Sequence, residues 1–297
     1  MSEKLVNCPV CANSGFSLFL ETRDYFLTGE SFSIQQCDAC GFKFVNPRPD
    51  ENVIGRYYQS DEYISHDARR SSIFSHIYKL ARIFSIRTKY KIVTEYLHSG
   101  RILDVGCGTG EFPAYCKKKG FEVAGVEPNE KARSFAQRVN KIPVTGKIPE
   151  IEAGPGAYHC ITMWHVLEHL HDLNETLERV RGLLAPQGVF IVAVPNCKSW
   201  DAQKYDKYWA AYDVPRHLYH FTETTLNILV RNHGFEIIQT IPQKLDAYYV
   251  SMLSEKYLSG RNKYLKAMVY GLWSNFQAGR KGNGHSSQIF VLSLKMS

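Results

Sequence analysis

The sequence predicts a doubly wound α/β fold preceded by a small cysteine-rich module. Three observations support this fold class: an apolar strand that enters a glycine-rich turn, an alternation of strand and helix patterns from 101 to about 195, and two Cys-x-x-Cys pairs near the N-terminus. The 297 residues suffice for one full α/β domain plus additions. A hydrophobic content of 44% is typical of a folded globular chain and excludes an intrinsically disordered one.

The first 50 residues carry the pattern of a metal-binding module. The four thiols of the two pairs are the candidate zinc ligands, namely Cys8, Cys11, Cys37 and Cys40. Thiolates at this spacing can surround a tetrahedral Zn²⁺, and four cysteines leave no open position for catalysis, so we expect structural zinc. The module is too small to bury much core, and metal would supply stability. Four unrelated thiols are the alternative.

The next segment, 51–98, is predicted to be a helical linker or cap. Apolar residues recur at helical spacing from 66 to 98, while the opposite side is basic. A solvated face explains that basic side more simply than a contact with phosphate or RNA.

The glycine turn is the centre of the functional argument. It reads Leu103-Asp-Val-Gly-Cys-Gly-Thr-Gly110, whereas a dinucleotide site requires G-x-G-x-x-G. Asp104 would repel a pyrophosphate at the following helix N-terminus, and it suits a positively charged ligand. S-adenosylmethionine carries an amino group and a sulfonium and has no phosphate. Glu127 ends the second strand, where a carboxylate can accept hydrogen bonds from both ribose hydroxyls.

Together with Gly125-Val-Glu-Pro128 and Met163-Trp-His-Val-Leu-Glu-His169, this turn resembles the class I S-adenosylmethionine-dependent methyltransferases. The resemblance implies a Rossmann-like seven-stranded methyltransferase sheet within 99–297 and S-adenosyl-L-methionine as cofactor. It implies these cofactor-binding residues: Asp104, Gly106, Cys107, Gly108, Gly110, Glu127, Trp164 and His165. Two positions depart from the family pattern, because the acidic residue after the third strand is missing or displaced to Glu150, and His159 replaces a common Asp.

The exit from the cysteine-rich module carries a second resemblance. Cys-x-x-Cys-Gly followed by Asn46-Pro-Arg-Pro49 is similar to bacterial methyltransferases that have an N-terminal zinc-binding module. Some of those enzymes act on nucleotide-linked sugars.

The strand and helix patterns follow the chain in order, with Asn129 and Thr222 as predicted N-caps. The predicted elements are strand 101–105, helix 110–119, strand 121–126, helix 129–139, strand 142–145, strand 158–163, helix 172–184, strand 189–194, helix 223–233, strand 235–241 and strand 288–294.

His165, Glu168 and His169 form H-x-x-E-H, the spacing of inverted zincins. A protease is rejected, because the motif follows the carboxyl end of a strand in a methyltransferase frame. The motif could assist the substrate or bind a divalent ion, as in ubiquinone-type O-methyltransferases. Structural hydrogen bonding is the simpler explanation.

An aromatic insertion at about 198–222 is expected to help wall the substrate site. A base is needed if a neutral hydroxyl or amine attacks the methyl group. His217 and His220 are the first candidates, and His165 is the third.

A second insertion, 245–285, contains an apolar helical stripe. It could be a lid, a dimer face or a membrane-surface helix, of which packing or dimerisation is the commoner outcome.

Three function hypotheses follow. The first is methyl transfer to a small molecule, with a sugar or a glycan or lipid precursor as the acceptor considered. The second is an RNA methyltransferase that docks through the zinc module; the net charge of +7 permits it, but no Asn-Pro-Pro-Tyr-type motif follows the fourth strand. The third is a non-catalytic binding protein. The N-terminus does not resemble a signal peptide and no apolar run has the length of a membrane span, so a cytoplasmic location is expected.

Overall fold

The computed structural model describes residues 2–58, 73–281 and 284–295. Residues 66–72 of the predicted helical segment lie outside this range. In the described part, helix α1 covers Ile73–Thr94 and ends four residues before the predicted end at 98. The chain divides into two compact units. The first unit comprises Met1–Ser60, His165–Asn174 and Val192–Phe290, and the second comprises Asp61–Trp164, Glu175–Ile191 and Val291–Ser297. The domain boundaries given above stay predictions.

Seven strands form the main sheet, in the order β12-β13-β10-β9-β6-β7-β8. β6 pairs in parallel with β7 and β9, and β7 pairs in parallel with β8. This confirms the Rossmann-like seven-stranded fold. The strands are β6 Arg101–Val105, β7 Glu122–Val126, β8 Val144–Thr145, β9 Tyr158–Trp164, β10 Leu184–Pro195, β12 Phe235–Pro242 and β13 Ser287–Leu294.

β10 begins five residues before the predicted strand. The prediction started too late because Pro186 and Gly188 look like turn residues in the sequence. A Cβ on Gly188 would stand 3.0 Å from the carbonyl oxygen of His159. The glycine therefore permits close approach to β9 rather than a turn.

Helices α2 Glu111–Lys118 and α3 Glu130–Arg138 of the second unit follow β6 and β7 in the chain. Asn129 caps α3, since its side chain accepts a hydrogen bond from the Ala132 N–H. The predicted cap and helix are thus confirmed, and α3 begins one residue after its cap. Helix α4, Leu173–Leu183, precedes β10.

The first unit contains a four-stranded antiparallel sheet in the order β11-β4-β3-β2. Its strands are β2 Phe16–Arg23, β3 Ser31–Cys37, β4 Lys43–Val45 and β11 Tyr219–His220, and a separate pair joins β1 Ser2–Glu3 to β5 Arg48–Pro49. The aromatic insertion therefore supplies the strand β11. Trp209 and Tyr212 of this insertion are buried with Ile34 and Val45, so they are core residues rather than lining of an open cleft.

Four helices complete the description of the first unit: α5 Trp200–Tyr205, α6 Glu223–Asn232, α7 Asp246–Ser259 and α8 Tyr264–Lys281. Thr222 caps α6 through a hydrogen bond from the Thr225 N–H, as predicted. Among the helices described, none has the length and apolar content that crossing a membrane requires.

Candidate functional site

The glycine turn after β6 lies in the second unit and presents bare main chain. Gly106, Gly108 and Gly110 have φ of 72°, 55° and 77°, a left-handed conformation that favours glycine. A Cβ on Gly110 would stand 2.9 Å from the Cβ of Ala136, so this glycine lets the turn pack on α3. A Cβ on Gly108 would meet no atom within 4 Å among the described residues. The backbone at Gly108 is therefore accessible to a ligand.

Asp104 lies at the end of β6, just before the turn, and is 3% exposed. The Thr162 hydroxyl donates a 2.6 Å hydrogen bond to its Oδ1. Burial raises the pKa of Asp104 from 3.8 to about 6, although the bond from Thr162 and the charge of Lys89 act in the opposite direction. A buried carboxylate with one hydrogen bond is an unfavourable anion, and a cationic ligand would relieve that cost.

Glu127 fixes the far side of the turn. Its Oε2 accepts from the Gly108 N–H at 2.9 Å, and its Oε1 accepts from the Asn129 N–H at 2.8 Å. A carboxylate offers about four lone-pair positions, so about two remain for a ligand. Two free positions match the two ribose hydroxyls expected from the sequence.

Trp164 ends β9, and its ring meets Phe112 edge to face, with centroids 5.7 Å apart. The ammonium of Lys89 lies 4.8 Å from the centre of the same indole ring. Within the part of the chain that the structure describes, the buried Trp164 Nε1–H has no hydrogen-bond acceptor. This orphaned donor, the accessible Gly108 and the two carboxylates fit a nucleoside ligand.

Other predicted residues of this unit have local roles. The Cys107 Sγ packs where a Cβ on Gly125 would stand, at 2.6 Å, and burial raises the pKa of this thiol. Glu150 accepts hydrogen bonds from the Gly146 and Lys147 N–H groups, so it caps its own loop. His159 accepts from the Arg101 N–H and is a satisfied structural group.

Several contacts of the turn were not predicted from the sequence. Arg82 of α1 forms an ion pair with Glu111 and donates to the Thr109 hydroxyl at 3.4 Å. The Asn140 side chain donates to the Thr109 carbonyl at 2.6 Å. Only the basic character of α1 hinted at these partners, since each lies well away from the turn in sequence.

The four predicted zinc ligands converge in the first unit. The sulfur atoms of Cys8 and Cys40 are 3.6 Å apart, those of Cys11 and Cys37 are 3.5 Å apart, and all four lie within 4.8 Å of one another. Tetrahedral zinc with Zn–S bonds of about 2.3 Å places sulfur atoms about 3.8 Å apart. The donor set therefore fits zinc, whose presence stays a prediction.

The two Cys-x-x-Cys turns share one backbone geometry. The residues that follow the second cysteine of each pair, Ala12 and Gly41, have φ of 59° and 74°. Their N–H groups donate to the carbonyls of Cys8 and Cys37, each at 2.9 Å. Gly41 adopts this left-handed conformation without steric cost, and Ala12 adopts it at a steric cost.

The H-x-x-E-H motif lies in the first unit, where His165 has φ of 57°, a strained conformation for a non-glycine residue. Its Nδ1 is 3.3 Å from Glu168 Oε1, and its Nε2 is 3.3 Å from Asp246 Oδ2. Burial alone lowers the pKa of His165, but the two carboxylates raise it to about 10. His165 is therefore an imidazolium at neutral pH, and it has no lone pair for a proton.

His169 and His217 share one hydrogen-bond pattern. Each Nδ1 lies within hydrogen-bond distance of a backbone carbonyl, that of Arg216 at 2.9 Å and that of Ala211 at 2.8 Å. A carbonyl only accepts, so the proton sits on Nδ1 and the Nε2 lone pair is free in the neutral ring. Burial, and to a lesser extent the neighbouring His217, lowers the pKa of His169 to about 4.

Glu168 joins these two histidines, and one donor atom from each of the three residues lies within 4.8 Å of the others. Its carboxylate is fully buried, and among the described residues neither oxygen makes a hydrogen bond of good geometry. Burial alone raises its pKa, but His165 and the two other histidines hold the pKa below the ordinary value. The cluster is an anionic group of acceptors that suits hydrogen-bond donors or a divalent cation.

The remaining candidates of the insertion lie in structural positions. His220 is buried in β11, where burial lowers its pKa well below the ordinary value. Arg216 donates to Asp24 at 2.9 Å and to Asp213 at 2.6 Å, and the three side chains form a largely buried ion-pair network. Arg216 therefore stabilises the first unit rather than lining a cleft.

A family model described as a methyltransferase domain matches residues 79–240, more than half of the chain. The chain belongs to this methyltransferase-domain family.

Individual relatives match over stretches of different length. The chain is 32% identical over 104 residues to a ubiquinone biosynthesis O-methyltransferase of Caulobacter sp. (strain K31). The aligned stretch covers 32% of this chain and 41% of that protein. The chain is 25% identical over 210 residues to the C-methyltransferase NovU of Streptomyces niveus, covering 68% of this chain and 46% of NovU. The chain spans about half the length of the curated relatives it matches.

A solved structure shares the fold over most of the chain. The 1,6-didemethyltoxoflavin-N1-methyltransferase of Burkholderia thailandensis has a TM-score of 0.50 and 17% sequence identity. The similarity covers 93% of this chain and 100% of that one, and it supports the fold assignment alone.

Proposed function

We propose that this protein transfers the methyl group of S-adenosyl-L-methionine to a small-molecule acceptor. The observation that carries the proposal is the accessible main chain at Gly108 between Asp104, which is buried, and Glu127, which is half-buried, in a chain of the methyltransferase-domain family. A carboxylate ahead of the turn would disfavour a phosphate-bearing dinucleotide and favour a cationic nucleoside.

Each residue of the second unit has a defined task in this proposal. Asp104 would hold the positively charged methionine end, Glu127 the ribose hydroxyls, and the Trp164 Nε1–H would donate to a ligand acceptor. The bound cofactor supplies a sulfonium whose methyl group is already activated. The protein therefore contributes mainly alignment and exclusion of water.

The acceptor of the methyl group would bind at the histidine cluster of the first unit. Glu168 offers a carboxylate whose Oε1 also lies 3.3 Å from His165 Nδ1, and His169 and His217 each offer a free Nε2 lone pair. A group of acceptors selects a ligand that presents donors, such as the hydroxyls of a sugar. This choice is supported by the resemblance of the zinc module to enzymes that act on nucleotide-linked sugars.

His217 is the proton acceptor that we propose. The Ala211 carbonyl orients its ring, and Asp213 Oδ2 lies 3.9 Å from its Nε2, where a carboxylate would stabilise the imidazolium formed. His165 is already protonated at neutral pH, and His220 is buried in a strand, so both are less suitable. His217→Ala should lower kcat by at least about 100-fold. His220→Ala is the control, because it changes the packing of a buried histidine without removing the proposed proton acceptor.

The experiment is a methyl-transfer assay with radiolabelled S-adenosyl-L-methionine and a panel of nucleotide-linked sugars, quinols and RNA. Methylation of a sugar, lost in His217→Ala, would support the proposal. Methylation of RNA alone, or of no compound while the cofactor binds, would contradict the acceptor class. Added Mg²⁺ tests whether a divalent cation binds to Glu168, His169 and His217, because the rate of methyl transfer would then depend on the Mg²⁺ concentration.

A further inference from the structure

Helix α8 exposes its large apolar side chains and buries its small ones. The buried face consists of small residues, namely Ala267, Gly271, Ser274 and Ala278. The exposed face consists of large apolar residues, namely Leu265, Met268, Val269, Leu272, Trp273 and Phe276. A surface helix of a globular protein normally has the reverse arrangement.

The buried face is shaped for close packing against α7. A Cβ on Gly271 would stand 2.6 Å from the ring of Tyr248 and 2.9 Å from its Cα, so only glycine fits there. Ser274 donates a 2.6 Å hydrogen bond to the buried Asp201. These contacts fix the rotation of α8 about its axis, and they hold the apolar stripe outward.

The exposed stripe is continuous. Its residues follow the spacing i, i+3, i+4, i+7, i+8 and i+11, so they share one face over three turns. Leu265 is 86% exposed and Leu272 is 62% exposed. A contiguous apolar surface of this kind marks an interaction site.

The charged residues within the α8 segment are all basic. The segment 260–281 contains five basic residues and no acidic residue: Arg261, Lys263, Lys266, Arg280 and Lys281. Positive charge at a helix N-terminus opposes the helix dipole, so Arg261 and Lys263 do not stabilise α8 itself. Lys266 is paired with Glu255 of α7 at 3.0 Å, which leaves basic residues at both ends of the stripe.

We propose that the exposed face of α8 docks on an anionic lipid bilayer, with the helix lying in the plane of the interface. Leucine, tryptophan and phenylalanine flanked by lysine and arginine are the composition of interfacial helices. A second copy of the chain is a poorer partner, because parallel or antiparallel pairing of two stripes would bring basic end against basic end. This inference is independent of the proposed methyl transfer.

The test is flotation of the 297-residue chain, prepared in the presence of Zn²⁺, with vesicles of phosphatidylcholine alone or with 30% phosphatidylglycerol. Binding to the anionic vesicles should exceed binding to the neutral ones by at least about tenfold, should weaken with salt, and should shift the fluorescence of the exposed Trp273 to the blue. The double variant Leu265→Ser/Leu272→Ser should reduce binding by about tenfold or more. Val139→Ser, which changes an exposed apolar residue in the second unit, is the matched control.

Equal binding by the double variant and the wild type would overturn the proposal, as would absence of binding to anionic vesicles. Analytical sedimentation tests whether a second copy of the chain binds the exposed face of α8 instead. A stable dimer that the double variant converts to monomer would assign this face to self-association and would also overturn lipid docking. Circular dichroism of both variants establishes that they remain folded.

Discussion

The buried carboxylate of Asp104 should reduce the stability of the fold, and the variant Asp104→Asn should therefore be more stable than the wild type. Asn keeps an oxygen that can accept the Thr162 hydrogen bond, so the change removes charge with little change of shape. The folded state binds the Asp104 proton more tightly than the unfolded state, because burial raises the pKa from 3.8 to about 6. The protonated carboxyl therefore contributes its full stability to the fold below pH 3.8, and this contribution is lost as pH rises through about 6.

The size of this effect follows from the two pKa values. At a pH well above both pKa values, their difference corresponds to a loss of about 3 kcal/mol in the free energy of unfolding. At pH 5 the same pKa values give a loss of only about 1.6 kcal/mol in the free energy of unfolding, because Asp104 is then mostly protonated in the folded state. Asp104→Asn should thus gain about 3 kcal/mol at pH 7.5 and about half of that at pH 5.

The assay is urea unfolding of the zinc-loaded protein at pH 7.5 and pH 5, followed by circular dichroism. Asp172→Asn replaces an exposed carboxylate and serves as control, with an expected change within about 0.5 kcal/mol. A loss of stability in Asp104→Asn, or a gain that does not shrink at pH 5, would show that the buried charge is not unfavourable in the free protein. The reasoning about a cationic ligand would then lose its physical basis.

Three further predictions concern the first unit. Gly41→Ala should lower the unfolding free energy by about 1–2 kcal/mol in denaturant titration, because its φ is 74° while a Cβ meets no described atom within 4 Å; Ala12→Gly at the matching Cys-x-x-Cys turn is the control, and it should not destabilise. The wild type should contain about one zinc ion per chain by atomic absorption, and Cys8→Ser/Cys37→Ser should lose it; an unchanged zinc content would contradict the ligand set. Arg216→Ala should cost about 3–5 kcal/mol in urea unfolding, since Asp24 and Asp213 lose their common partner; a cost below about 1 kcal/mol would assign Arg216 another role.

Local sequence signals predicted much of the main sheet. The caps Asn129 and Thr222, the glycine turn and the strand patterns each depend on neighbours within a few residues, so the sequence contains the information that defines them. The early start of β10 was missed because proline and glycine indicate a turn when pairing with β9 is unknown.

Contacts between distant segments could not be predicted. Arg216 pairs with Asp24, and β11 pairs with β4, only because the fold brings the insertion to the cysteine-rich module. The motif H-x-x-E-H drew attention to Glu168 and His169, but no spacing indicated that His217 would join them. The orientation of α8 likewise depends on Gly271 meeting Tyr248, which no periodicity reveals.

Isothermal titration of the zinc-loaded protein with S-adenosylhomocysteine tests most directly whether the glycine turn holds this nucleoside. We expect one site per chain, with affinity reduced at least about tenfold in Asp104→Asn and in Glu127→Gln, since each loses a charged hydrogen-bond acceptor. Absence of heat at millimolar ligand, or saturable binding of NAD in its place, would contradict the assignment of this turn.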